Sequence, residues 1–358
     1  MKRLVIISLI FSCFSSISFG QETIKGTIYD AKTKETIVGA AVYLDGTSII
    51  TTSDTDGNFQ LVAPGKINAN LVLSHLSYEP LVVEKPFEHR ENKFYLAEKV
   101  NILTDVTVVA DRYWRAAKIA VFKDECLGKS DAGKSCVIAN EDDIVLNYNN
   151  ETNTLIGYAS NPIVIENRFL AYKIVCDLQH FSVQYSENTL MPDKIVQVSF
   201  KGTFSFIDQS PFNIMYAKRR ERLYLHSSSY FWKNFISHTL ESAKCRVYNR
   251  YLRIDPKQYF LVSEILNQKA VQILPNTKLQ LKHPRVPDVP VFGVMGITCN
   301  GERSDVVFLT DQILFDDFGN PDSVDSLIYF GEMGKQRLGD MLPRDFVYTA
   351  TQQGQRSR

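Results

Sequence analysis

The chain has 358 residues, 44% hydrophobic and 22% charged, and its 40 basic side chains are matched by 40 acidic ones. That balance excludes a global field able to draw the protein to nucleic acid or to an anionic membrane, so recognition has to rest on local surface. Length and apolar content together allow two or three domains with sizeable cores.

Residues 1–20 carry Lys2 and Arg3, an apolar run from Leu4 to Phe11, and a polar stretch ending Ser18-Phe19-Gly20. This is the pattern of a secretory signal peptide. The apolar run is well short of the roughly 20 residues of a spanning helix, and small residues precede a cleavage point before Gln21. Ile10-Phe11-Ser12-Cys13 is a loose lipobox, which leaves lipoprotein processing at Cys13 as the alternative. Cleavage at Gln21 leaves 38 basic against 40 acidic side chains. The expectation is an exported protein, periplasmic or outer-membrane-associated, with no transmembrane helix in the mature chain. The polar ending from Gln352 to Arg358 argues against an outer-membrane barrel.

From Thr23 to Leu96 the pattern is strand and turn. Ile24 to Ile28 alternates, Ala41-Val42-Tyr43-Leu44 runs into an Asp45-Gly46 turn, and Asp56-Gly57 separates Thr51-Thr52 from Phe59-Gln60-Leu61. Asp-Gly supplies the positive φ angles of a tight hairpin, so Asp56, Gly57 and Phe59 are read as a structural turn. Seven short strands at this spacing suit a two-sheet sandwich. Gly26-Thr27-Ile28-Tyr29-Asp30, Ile37-Val38-Gly39-Ala40-Ala41-Val42 and Asp54-Thr55-Asp56-Gly57-Asn58-Phe59 resemble the carboxypeptidase regulatory-like domain. That resemblance implies a transthyretin-like Greek-key sandwich over 21–100 and assigns no activity. Members often carry Gly-Tyr where this chain has Ser77-Tyr78.

Residues 101–112, with Val106-Thr107-Val108-Val109, read as a strand or linker. In large receptors carrying this domain, a similar segment is an energy-coupling box, which leaves open a role as accessory to an outer-membrane receptor. A β-rich region with two helices is expected over 113–348, and a disordered tail over 349–358. The first helix, Tyr113 to Leu127, would present Trp114, Ala117, Ile119, Ala120 and Phe122 as its apolar side; the second would run from about Tyr230 to Ser242. Between them strands are expected at Leu170 to Cys176, Phe181 to Tyr185 and Val196 to Phe206. Tyr113-Trp114, Leu170-Ala171-Tyr172-Lys173-Ile174, Tyr230-Phe231-Trp232 and Leu342-Pro343-Arg344-Asp345 resemble the C-terminal region of uncharacterised envelope proteins that carry the same first domain, and imply no known reaction.

Each motif with chemical potential has a plainer explanation. Gly128 to Ser135 fits the phosphate-binding loop formula, yet a helix leads in and the β-like Cys136-Val137-Ile138 leads out, the reverse of what a phosphate cradle needs. His238-Thr239-Leu240-Glu241 matches the His-x-x-Glu zinc pair of metallocarboxypeptidases. His238 and Glu241 are therefore weak metal candidates, without a third ligand in the enzyme's order. The basic run Lys218 to Arg222 reads as a solvated face, and Glu141-Asp142-Asp143 and Asp316-Asp317 read as solvated loop acids. The mature chain keeps Cys126, Cys136, Cys176, Cys245 and Cys299; Cys126 and Cys136 either close a small disulfide or stay as two buried thiols. The expectation is a mainly β, non-enzymatic envelope protein that uses no cofactor and binds or scaffolds protein or glycan, not nucleic acid. The rival is a divergent metallopeptidase or glycan hydrolase.

Overall fold

The computed structural model describes residues 21–88, 92–99, 112–275, 277–286 and 289–348. The signal peptide, the Val106–Val109 segment and the tail expected from the sequence lie outside the described residues. The N-terminal unit is a seven-stranded sandwich. Strands β1 (Glu22–Asp30), β4 (Asn58–Ala63) and β7 (Lys93–Leu96) form one sheet in the order β4-β1-β7. Strands β2 (Ala41–Leu44), β3 (Ile50–Thr52), β5 (Leu71–His75) and β6 (Tyr78–Val83) form the other, in the order β3-β2-β5-β6. In β4 the inward positions are Phe59, Leu61 and Ala63, as period-two alternation requires. Gly26 makes room for the Phe59 and Phe94 rings, which lie 5.7 Å apart: a Cβ at residue 26 would stand 2.5 Å from Phe94.

The turn before β4 is organised by Asp54, whose Oδ1 accepts from the amides of Asp56 at 3.0 Å and Asn58 at 2.8 Å. Gly57 sits at φ 74°, with Ile28 O only 2.8 Å from where its Cβ would be. Gly57→Ala is therefore expected to cost about 2 kcal/mol, read as a shift of the sandwich's urea midpoint. At the departure from the family pattern, Tyr78 Oη donates to Asp30 Oδ2 at 3.0 Å and ties the two sheets. The amides of Thr33 and Lys32 hold the Asp30 carboxyl below its usual range.

A second hydrophobic cluster forms around one six-stranded sheet: β8 (Cys136–Ile138), β9 (Ile144–Asn149), β10 (Thr154–Ala159), β11 (Ile163–Asn167), β12 (Tyr172–Tyr185) and β13 (Ile195–Asp208). The order is β8-β11-β12-β10-β9, with β13 along the other side of β12. Helix α1 (Arg115–Phe122) continues as a π-turn over Lys123–Leu127 and packs Ile119, Phe122 and Leu127 into this core. Its apolar face is narrower than the sequence implies, and Trp114 is 85% exposed. The buried Lys118 donates to Leu146 O at 2.7 Å and Arg115 to Ile144 O at 2.8 Å, so cations satisfy carbonyls of β9 at the sheet edge.

Helix α3 (Ile214–Tyr224) packs Leu223 against the second cluster, while the third holds α4 (Ser228–Ile236) and two sheets. Its strands are β14 (Cys245–Asn249), β15 (Leu252–Arg253), β16 (Phe260–Ile265), β17 (Gln268–Ile273), β18 (Gly293–Cys299), β19 (Glu302–Phe308), β20 (Gln312–Phe315) and β21 (Leu327–Gly331). They are ordered β15-β14-β18-β19-β21 and β16-β17-β20. Trp232 of α4 stacks on Phe315 at 4.5 Å and donates through Nε1 to Tyr329 Oη at 2.7 Å. The chain thus contains helices beyond the two expected.

The basic run Lys218 to Arg222 lies on α3, and Arg220 corrects the solvated reading: it is 5% exposed. The Leu342 to Asp345 stretch returns to the sandwich, where the Arg344 amide donates to Gly46 O at 2.8 Å and Asp345 accepts from Ser48. Beside it Asp316, also read as solvated, is buried and accepts the Asn68 amide at 2.9 Å. Burial raises its carboxyl pKa, against the amide bonds that lower it.

Candidate functional site

The residues singled out by sequence do not converge. Within Gly128 to Ser135, Ser130 caps the four-residue α2 (Asp131–Lys134), accepting from the Gly133 amide at 3.0 Å and donating to Asp340 Oδ1 at 2.5 Å. A Cβ on Gly133 would lie 2.3 Å from Gly128 O, and one on Gly339 would lie 2.6 Å from Gly133 Cα. These glycines let three backbone segments touch, so the loop is a packing knot.

Helix α4 stops at Ile236, short of the expected Ser242. His238 takes φ 57°. Its amide donates to Phe235 O at 3.2 Å and that of Thr239 to Asn234 O at 2.9 Å, which is the Schellman arrangement of a helix end. His238 and Glu241 therefore share no helix face. Both are exposed, and Glu241 is engaged by Arg253. Among the described residues no three His, Cys, Asp or Glu side chains gather as a metal-binding group.

Of the two states open for Cys126 and Cys136 the structure shows the buried thiols, and the disulfide joins another pair. Cys245 of β14 is bonded to Cys299 of β18, while Cys126, Cys136 and Cys176 are separate buried thiols in the second core. Facing β14 and β18 residues are close enough to bridge, whereas Cys126 and Cys136 sit on a π-turn and a strand packed into apolar surroundings. Burial pushes the thiols of Cys126 and Cys136 up to about 12, which keeps them protonated and unreactive.

What the fold does assemble is a basic groove of about 1010 Å³. Across β14, β18, β19 and β21, Tyr248, Gly296, Asp305 and Phe330 stand in register, and Gly296 leaves the middle of that row without a side chain. The His283 ring stacks on Phe330 at 4.1 Å with the planes 13° apart, and its Nε2 is 4.0 Å from Asp305 Oδ2. Around this platform the groove is lined by Arg250, Lys282, Arg285, Arg303, Lys335 and Arg337, with Asp305 as the acidic side chain among the described residues. Lys335 is 3.6 Å from Glu332 and Arg303 is 3.9 Å from Asp305. Arg250, Lys282 and Arg285 have no ion-pair partner among the described residues and are exposed. At the tip of the β14–β15 hairpin, Tyr251 is 86% exposed and lines the same groove. Burial lowers the His283 pKa, with Arg285 acting the same way and Asp305 opposing.

A second cavity of about 470 Å³ is lined by the body of the same hairpin, with Phe235, Val247, Ile254 and Phe260 as apolar wall and Arg246 and Lys257 among its polar lining. His238 and Glu241 also line it. Sequence reading missed the groove because its cations come from four separated segments, none of them a basic run. Arg250-Tyr251 and Lys282-His283-Pro284-Arg285 are the local signals available.

Residues 24–108 match the model of the CarboxypepD_reg-like domain. A stretch of 107 residues is 38% identical to the TonB-dependent receptor SusC of Bacteroides thetaiotaomicron, covering 29% of this chain and 10% of the receptor. The chain thus spans about a tenth of that relative's length. The similarity concerns the sandwich, while the groove lies in the C-terminal part.

Proposed function

We propose that the chain is an exported, non-enzymatic protein of the cell envelope that binds or scaffolds a partner there, with the basic groove as its recognition surface. One observation carries the reading: six cationic side chains from four segments line one concave surface of a chain whose formal charge is zero. Like charges so gathered repel one another in the free protein, and an anionic ligand relieves that repulsion. The receptor-like sandwich supports the envelope setting. Fractionation of expressing cells is expected to recover a chain beginning at Gln21 with the periplasm or outer membrane. Recovery in the cytosol with residues 1–20 intact would sink the envelope assignment.

The hydrolase rival makes an opposite forecast at His238. A zinc peptidase would hold stoichiometric metal and lose it on His238→Asn. Asparagine tolerates the left-handed backbone, so we expect metal content to be unchanged and stability to move by less than about 0.5 kcal/mol. Metal analysis and a urea titration of the two proteins decide between them. A second reading, accessory to an outer-membrane receptor, is favoured by the same sandwich similarity, and co-purification of a barrel receptor with the tagged full chain tests it.

A further inference from the structure

We infer that the groove takes a linear acidic polysaccharide, its carboxylates held by Arg250, Lys282 and Arg285 and its sugar rings laid against Tyr251. This rests on the groove being the recognition surface, and it specifies the ligand. Arginine forks pair carboxylates bidentately, and Arg250, Lys282 and Arg285, without an ion-pair partner among the described residues, are free to do so, Arg285 from its place 5.8 Å over the Phe330 ring. The exposed ring of Tyr251 offers an apolar face beside those charges, which a carboxylated sugar chain matches with its alternating apolar ring faces and anionic groups, while the His283 ring, its side chain 10% exposed, is stacked on Phe330 as the floor of the groove.

The pairing of ring and charge separates this ligand from other polyanions: a carboxylated polysaccharide carries an apolar ring face beside each anionic group, which a layer of lipid headgroups does not. At about 1010 Å³ the groove lies at the upper end of the range for small-molecule pockets, as a segment of polymer requires.

Protonation of His283 adds a further cation facing the ligand, among Lys282 and Arg285 of its own loop, Arg303 and Asp305 of β19, and Phe330 of β21. The free protein holds this imidazole below its ordinary range, chiefly by burial. A bound polyanion favours the charged form and raises that pKa. Binding therefore takes up a proton and tightens as pH falls through the imidazole range, between about pH 8 and 5.

The test is calorimetric titration of the mature full chain with polygalacturonate, neutral dextran, single-stranded DNA and phosphatidylglycerol vesicles. It is repeated on Arg250→Gln/Lys282→Gln/Arg285→Gln, whose sites are all exposed and outside the cores. We expect polygalacturonate to bind, dextran not to, and the triple variant to weaken polygalacturonate at least about tenfold. His283→Gln should flatten the pH profile. If DNA or vesicles bind more tightly than polygalacturonate and the triple variant abolishes that binding, the polysaccharide is wrong while groove recognition stands. If the triple variant changes no affinity, both fall.

Discussion

Reducing the Cys245–Cys299 bridge, or replacing both residues with alanine, is expected to lower the stability of the C-terminal part by up to about 4 kcal/mol. The bridge closes a loop with a sequence separation of 54, and the chain-entropy relation gives about that value for such a loop. The effect should extend to function, because the bonded residues begin β14 and end β18, next to the hairpin whose tip carries Arg250 and Tyr251. Urea unfolding with and without reductant measures the stability term, and peptide mapping of the oxidised protein locates the bond. Cys126, Cys136 and Cys176 should alkylate only after unfolding, since burial keeps all three thiols protonated. A mapped Cys126–Cys136 peptide, or an unchanged midpoint on reduction, would contradict the assignment.

Arg220→Leu should cost about 3 kcal/mol, more than any other substitution in the basic run of α3. The guanidinium donates from Nη1 to Asp208 Oδ2 at 2.6 Å and from Nη2 to Oδ1 at 2.8 Å. It also donates from Nε to Leu170 O at 2.8 Å and lies 3.9 Å over the Tyr172 ring. Leucine fills part of the space but takes the donor from the Leu170 carbonyl and leaves the half-buried Asp208 carboxylate with the Ser210 amide at 2.8 Å in place of a cation, and removing one side of a buried pair is the expensive direction. Asp208→Asn keeps an acceptor and should lose less. Exposed neighbours such as Lys218 should change stability by less than about 0.5 kcal/mol on replacement by glutamine. Equal losses for Lys218→Gln and Arg220→Leu in urea titrations would show that the Arg220 cage contributes nothing.

The same residues show where sequence is informative and where it is silent. The sandwich was legible because Phe59-Gln60-Leu61 and Lys93-Phe94-Tyr95-Leu96 alternate cleanly and Gly57 marks a turn that needs positive φ. The long β12 reads in sequence as two strands because its register shifts between Leu178 and His180, leaving Gln179 and His180 both outward and breaking the period. Composition cannot distinguish a basic run on a solvated face from one that turns a single guanidinium inward, and only the approach of Asp208 and the Leu170–Ala171 turn does so here. Helix α4 reads longer in sequence than it is because Leu240 keeps helical spacing, while the Schellman end at His238 lacks the glycine that announces such an end. The groove was invisible for a topological reason: β21 pairs with β19 and β18 with β14, so Arg250, Arg303 and Lys335 meet only after the sheet is assembled.

Amide hydrogen exchange of the mature full chain with and without saturating polygalacturonate tests groove recognition most directly. The account predicts protection confined to the β14–β15 hairpin tip, residues 280–285 and the β19–β21 segments that carry Arg303 and Phe330. Protection on the sandwich loops around Asp54 and Gly57, with those groove segments exchanging as in the free protein, would contradict it.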